Sequence, residues 1–320
     1  MRRDGNSIGP GSPAPAVPTS RARPALAVRK TPRDTPLDRF RDADAYRARR
    51  EWLRYEGTGQ RDLYRELRER FLARHAVEAG WALDVGSGPG RFLPFIGGPR
   101  TRKVAFDLSP EMLRLVLPTW RRMGATGRLP DRILGNATSP PLALGSCQEV
   151  VLLGNTLGFA GRDADRLLDE SLELVAPGGS LLVEVAPAPG ERSQYLARLP
   201  PSSMARLFRT PLAVILDRLD REPFRTEPAR HVTPRSFRRF RVEELQARFE
   251  NRGWGIRETV AVAPALGPDP KRISVIRTDP KAWARLLDLE EEVGHRPERW
   301  PGAAAVLVAA RHPSSMRMIK

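Results

Sequence analysis

Short apolar runs alternate along this chain with longer stretches in which apolar side chains recur every three or four positions among charges, the pattern of strands interleaved with amphipathic helices. Asp42 to Glu78 reads as helical, with Tyr46, Trp52, Leu53, Leu63, Leu67, Phe71 and Leu72 in a charged background and a break at Gly57-Thr58-Gly59. Strand-like runs follow at Ala82 to Val85, Lys103 to Asp107, Arg132 to Leu134, Val150 to Leu153 and Leu181 to Glu184. A helix opens at Leu108 to Leu113, a second spans Asp163 to Val175 and a third Val242 to Asn251. Trp254 to Val262 and Ala303 to Ala310 supply two more strands. Such alternation argues for an α/β architecture.

The first run ends in Asp84-Val85-Gly86-Ser87-Gly88-Pro89-Gly90. Glycine at every second position lets the backbone turn sharply and approach a ligand with no Cβ in the way, and the next helix is expected to begin near Pro89. A dinucleotide fingerprint, G-x-G-x-x-G, would need its third glycine where Arg91 stands, whereas D-x-G-x-G-x-G is complete. The second run ends in Asp107, a carboxylate suited to both hydroxyls of a ribose, followed by Leu108 and Ser109. Gly135-Asn136-Ala137 follows the third run and Gly154-Asn155-Thr156-Leu157-Gly158 the fourth, with Leu174 to Glu184 carrying Pro177-Gly178-Gly179 before the fifth. Plainer readings stand beside these: Asp107 as a helix cap, Asn136 and Asn155 as turn residues, and Pro177-Gly178-Gly179 as a helix stop.

Taken in order over residues 78 to 186, these motifs resemble the class I S-adenosylmethionine-dependent methyltransferases. The resemblance implies an α/β, Rossmann-like, doubly wound seven-stranded sheet of order 3-2-1-4-5-7-6 with N-terminal helices and a cap insertion. It implies S-adenosyl-L-methionine as methyl donor, no metal, and cofactor contacts from Asp84, Gly86, Ser87, Gly88, Gly90, Asp107, Leu108, Asn136, Ala137, Asn155 and Thr156. Asn136 stands where the family usually has an acid, and its amide oxygen is expected to accept from the adenine amine. The expected organisation is a basic, Pro-rich, disordered tail at 1–36, helices covering the cofactor at 37–79, and a methyltransferase domain at 80–320. Insertions interrupt that domain at 187–240 and 265–302. The first carries apolar residues at Met204, Leu207, Phe208 and Leu212 to Leu219, expected to form a lid over the strand ends.

Methyl transfer from a sulfonium relies on alignment, so a base is needed only for an acceptor that arrives protonated. His231 and Glu184 are the candidates, and no catalytic residue is assigned. The loop after the fourth run lacks the D/N-P-P-Y/F of exocyclic-amine methyltransferases, and Cys147 precedes that strand instead of following a proline. These absences favour a small-molecule acceptor. An RNA or ribonucleoprotein methyltransferase, or a non-catalytic S-adenosylmethionine-binding protein, remains the alternative.

Charge modifies this picture only modestly. The formal net charge is +16, but residues 1–50 hold 12 Arg or Lys against 5 Asp, and only five of the 54 basic residues are Lys. A basic tail and an arginine-biased composition therefore account for much of it, and a nucleic-acid partner is not favoured. The tail reads as a non-functional extension, a basic arm or, least economically, a targeting peptide. One cysteine precludes an intramolecular disulfide, and no apolar run reaches membrane length, so a cytoplasmic protein is expected.

Overall fold

Strand β1 (Ala79–Val85) lies at the centre of the sheet, paired in parallel with β2 (Arg100–Asp107) on one side and β4 (Cys147–Leu152) on the other. β3 (Asp131–Leu134) extends β2, and β5 (Val175–Val185) extends β4. A two-stranded ribbon of β6 (Glu191–Ser193) and β7 (Phe224–Thr226) stands apart. β8 (Gly255–Val262) and β9 (Ala305–Arg311) complete the main sheet in the order β3-β2-β1-β4-β5-β9-β8. Counting only its own strands in chain order, that is 3-2-1-4-5-7-6, with β9 antiparallel to both neighbours. The chain leaves β1 in one direction for β2 and returns past it for β4, so a crevice opens at the carboxyl ends of β1 and β4. The computed structural model describes residues 59–187, 191–193, 196, 199–221, 224–226, 237–266, 270–301 and 303–314. The expected tail, the helix carrying Tyr46 and Trp52, and His231 lie outside the described residues.

The helices are α1 (Gly59–His75), α2 (Pro110–Arg122), α3 (Thr156–Ala160), α4 (Ala164–Leu174), α5 (Pro201–Leu207), α6 (Leu212–Arg221), α7 (Val242–Glu250), α8 (Pro270–Arg277) and α9 (Pro280–Gly294). Both faces of a parallel sheet must be covered, and alternation along the strands divides the core in two. Leu83, Val85, Val150, Leu152 and Val183 pack with α4 and α7. Ala82, Val151 and Leu182 pack with α1, α2 and helices of both insertions. α2 shows how local sequence sets an element. The Ser109 hydroxyl accepts from the Met112 N–H at 3.0 Å, Pro110 needs no donor at the first turn, and Leu113, Val116 and Trp120 recur on the buried side. Such a cap contributes about 1 kcal/mol.

α1 buries Leu63, Leu67, Phe71 and Leu72 and is held by polar contacts along its length. Trp283 Nε1 donates to Glu66 at 2.9 Å, Arg70 meets Asp288 and Glu291, and Arg74 meets Glu258 and Glu291. Burial opposes ionisation of Glu258, but hydrogen bonds from His75, Arg74 and His295 outweigh it and hold that carboxyl down to about 2. Phe208, expected on the apolar face of a lid, lies in the core that α5 shares with α8 and α1. The apolar positions of the first insertion are matched by those of the second, so each covers the other.

The helix expected near Pro89 does not form. Residues 86–99 are turns with one helical bond, Ile96 N–H to Phe92 O, before β2 begins at Arg100. Pro94 lacks the N–H that would continue a helix, and Gly97 (φ +56°), Gly98 and Pro99 end any attempt. The ends of the first insertion meet: Pro187 bridges Phe240, whose N–H donates to Ala186 O at 2.9 Å. Buried Glu290 closes the start of the second, accepting the Ala265 and Leu266 N–H groups at 2.9 and 2.7 Å.

Candidate active site

Gly86, Gly88 and Gly90 all adopt positive φ, at +67°, +53° and +80°. Only glycine takes these values freely. Their surroundings differ. A Cβ on Gly86 would sit 2.5 Å from Thr156 Cγ2 and one on Gly90 2.7 Å from Leu93 Cδ1, whereas one on Gly88 would meet nothing within 4 Å. Gly86 and Gly90 are thus required by packing, and Gly88 borders open space at the crevice. The Gly86 and Ser87 N–H groups donate to Phe106 O, folding the loop onto the end of β2.

Asp107 receives the Gly88 N–H at 2.7 Å on Oδ2 and the Ser109 N–H at 2.9 Å on Oδ1. Two backbone groups thus set the orientation of a carboxylate at the end of β2, where neighbouring hydroxyls of a ligand were expected. Leu108 beside it is 44% exposed, an apolar surface at the same strand end.

Asp84 is 2% exposed, and its Oδ2 has no hydrogen-bond partner among the described residues. Burial, reinforced by the charges of Asp107 and Glu149, pushes its carboxyl up to about 8. Asn155, just past the neighbouring strand β4, has φ +62° and ψ +30° and likewise buries an unpartnered Oδ1. Two buried acceptors without donors at adjacent strand ends fit a ligand that brings a cationic amino group. Vicinal hydroxyls suit Asp107, and S-adenosylmethionine carries both features.

Thr156 uses its hydroxyl on Leu153 O at 2.7 Å and turns its methyl toward Gly86. Asn136 Oδ1 accepts from both the Thr138 N–H (3.0 Å) and the Thr138 hydroxyl (2.9 Å). Its oxygen is occupied, and the amide nitrogen remains, a donor suited to a ring nitrogen of adenine and not to its amine. Ala137 packs against the core beneath this turn.

Glu184, the candidate base, is fully buried and already committed. It accepts from Arg68 Nε at 2.7 Å, Arg68 Nη2 at 2.7 Å and the Gly154 N–H at 3.1 Å. Burial disfavours the Arg68 charge, but Glu184 outweighs it and raises the guanidinium above its ordinary value. Glu184 therefore serves as an anchor, and the base reading falls. Arg68 was absent from the sequence-derived site because its partner lies 116 positions away. His75 and His295 bind Glu258, and His312 packs on Trp254, so none of these enters the crevice. Among the described residues no group of three His, Cys, Asp or Glu side chains is arranged to hold a metal.

Residues 83–183 match the family described as methyltransferase domain, spanning β1 through β5 with every motif of the crevice. The chain therefore carries a methyltransferase domain at residues 83–183, set in a Rossmann-like sheet of order 3-2-1-4-5-7-6. No curated protein matches it by sequence. Solved structures similar to it include a complex of the Haloferax volcanii Trm112 methyltransferase activator with a candidate methyltransferase, at 18% identity and TM-score 0.48, covering 88% of this chain and 100% of that one. The [4+2]-cyclase SpnF aligns at 15% identity and TM-score 0.45, covering 77% and 81%. A geranyl diphosphate methyltransferase with bound substrate and sinefungin aligns at 13% identity and TM-score 0.43, covering 76% of each chain. No helix among the described residues is long and apolar enough to cross a membrane.

Proposed function

We propose that this enzyme transfers the methyl group of S-adenosylmethionine to a small-molecule acceptor. The supporting observation is the loop after β4. Gly154-Asn155-Thr156-Leu157-Gly158 replaces the proline-shaped slot of base-amine enzymes, and Phe237, returning from the first insertion, packs directly on Gly158. Phe159, 66% exposed, meets the edge of Phe237 with ring centroids 5.1 Å apart. An aromatic surface beside the strand ends suits a compact, partly apolar molecule better than a polynucleotide backbone.

The bound donor supplies an electrophilic methyl on a sulfonium, whose departure disperses charge. The protein's part is then alignment. Asp107 holds the ribose, Asp84 and Asn155 take the amino group, and Gly88 admits the ligand against the backbone. Purified full-length protein incubated with isotope-labelled S-adenosylmethionine and a metabolite extract tests the reading. Label is expected in a low-molecular-weight product with matching release of S-adenosylhomocysteine. Label recovered in RNA instead overturns it.

A further inference from the structure

The Arg68–Glu184 pair links α1, the carboxyl end of β5 and the turn after β4. Glu184 shares with Leu182 the strand face on which α1 packs, and it lies at the carboxyl end of β5. Arg68 spans from α1 with a two-pronged contact, both distances 2.7 Å, while its Nη1 donates to Tyr64 O at 3.0 Å within the helix. The same Glu184 Oε2 that receives Arg68 Nε also receives the Gly154 N–H. Gly154 (φ +68°) is followed by Asn155 (φ +62°), a left-handed non-glycine residue whose buried amide oxygen has no donor among the described residues. Such backbone persists only where surrounding contacts over-determine it.

A buried ion pair is a poor stabiliser compared with two apolar side chains of similar volume. Its retention calls for another role. We propose that Arg68 and Glu184 are positioning residues for the methyl donor: the pair ties α1 to the carboxyl end of β5 and, through the Gly154 N–H, fixes the backbone that presents Asn155 Oδ1 to the donor's amino group. The inference rests on the donor assignment and is independent of the acceptor. It makes α1 part of the binding machinery.

Two double variants of the full chain separate positioning from simple support. Arg68→Met with Glu184→Gln removes both charges but keeps an acceptor for Gly154. Arg68→Met with Glu184→Met removes the acceptor as well and leaves an apolar pair that packs. The readouts are melting temperature, amide hydrogen exchange at residues 154–156 without ligand, and calorimetric affinity for S-adenosylhomocysteine. Both variants are expected to melt near the wild type. The Met/Met variant should exchange faster at residues 154–156 and bind about tenfold more weakly, the loss of one hydrogen bond to a charged group, with the Met/Gln variant about threefold weaker. A folded Met/Met variant with wild-type exchange and affinity overturns the proposal. Should that variant fail to fold, Arg68→Lys, which keeps the charge but not the fork, takes its place: weaker binding at an unchanged melting temperature supports positioning, and wild-type affinity refutes it. A wild-type protein that binds no S-adenosylhomocysteine overturns the donor assignment along with it.

Discussion

The two ends of the sheet bury carboxylates in opposite ways. At the amino end, Glu149 at the start of β4 is fully buried, and its two oxygens accept the Val77 N–H at 3.0 Å and the Gly97 N–H at 3.3 Å. At the carboxyl end, Asp84 is nearly as buried, yet its Oδ2 has no partner among the described residues. Burial pushes both acids up, Glu149 to about 7 and Asp84 to about 8. A perturbed acid is therefore no marker of a site by itself. What separates them is the hydrogen bonding: one carboxylate staples the turns beneath the sheet, and the other keeps an oxygen for which the described residues supply no donor.

The largest expected effect comes from filling the space at the carboxyl end. Gly88→Asp places a side chain where the protein has none, so cofactor affinity should fall by about 100-fold or more while the fold survives with about 1 kcal/mol of left-handed strain. Gly86→Ala should do the reverse, destabilising the protein by driving a methyl into Thr156. Calorimetry paired with thermal melting distinguishes the two, and a Gly88→Asp protein that still binds would falsify the placement of the donor.

Next in size is Asp107→Ala, expected to weaken cofactor binding by about 1.5 to 3 kcal/mol through loss of charge-assisted bonds to the ribose. Titration of the folded variant with S-adenosylhomocysteine measures it. Unchanged affinity would move the ribose elsewhere.

Asp84→Asn sharpens the contrast further because it carries a pH signature. Between about pH 4 and about pH 8 the folded protein holds a proton on Asp84 that the unfolded chain has released, so stability falls as pH rises through this window and levels off above it. The Asn variant removes that penalty. Without ligand, its melting temperature should exceed the wild type's at pH 8 but not at pH 4, while cofactor affinity drops by about tenfold for want of a counter-charge. Equal melting curves at pH 8 would show that Asp84 carries no such burden.

The smallest effect belongs to the amino end. Glu149→Gln keeps one acceptor of two and should lower stability by about 1 kcal/mol, leaving cofactor affinity within about twofold. Chemical denaturation and calorimetry on the same preparation check both halves. A large loss of affinity here would erase the distinction between staple and receptor.

Much of the carboxyl end was legible in the sequence because its signals are local. Alternating glycines dictate backbone conformation within five residues, and strand runs ending in Asp84 and Asp107 fall at adjacent strand ends once the sheet is wound. The failed helix after β1 was legible too, in Pro94, Gly97, Gly98 and Pro99, but the expectation drawn from Pro89 outweighed those stops. What stayed hidden depends on distant partners. Nothing near Glu184 announces Arg68, nothing near Asn136 separates an oxygen tied to Thr138 from a free one, and Phe208 reads as an apolar lid until the helices of the second insertion are seen against it.

The bridge between Pro187 and Phe240 has a consequence for how such an enzyme changes. Because the first insertion begins and ends at one point beside β5, where the bridge leads into α7, its length and content are free of the strand register. The loop-closure entropy of a longer or shorter excursion grows only slowly with its size. The segment can therefore be exchanged as a cassette while the strands of the main sheet stay as they are. Any graft must only supply a partner for the apolar faces of α8 and α9 that the present segment covers.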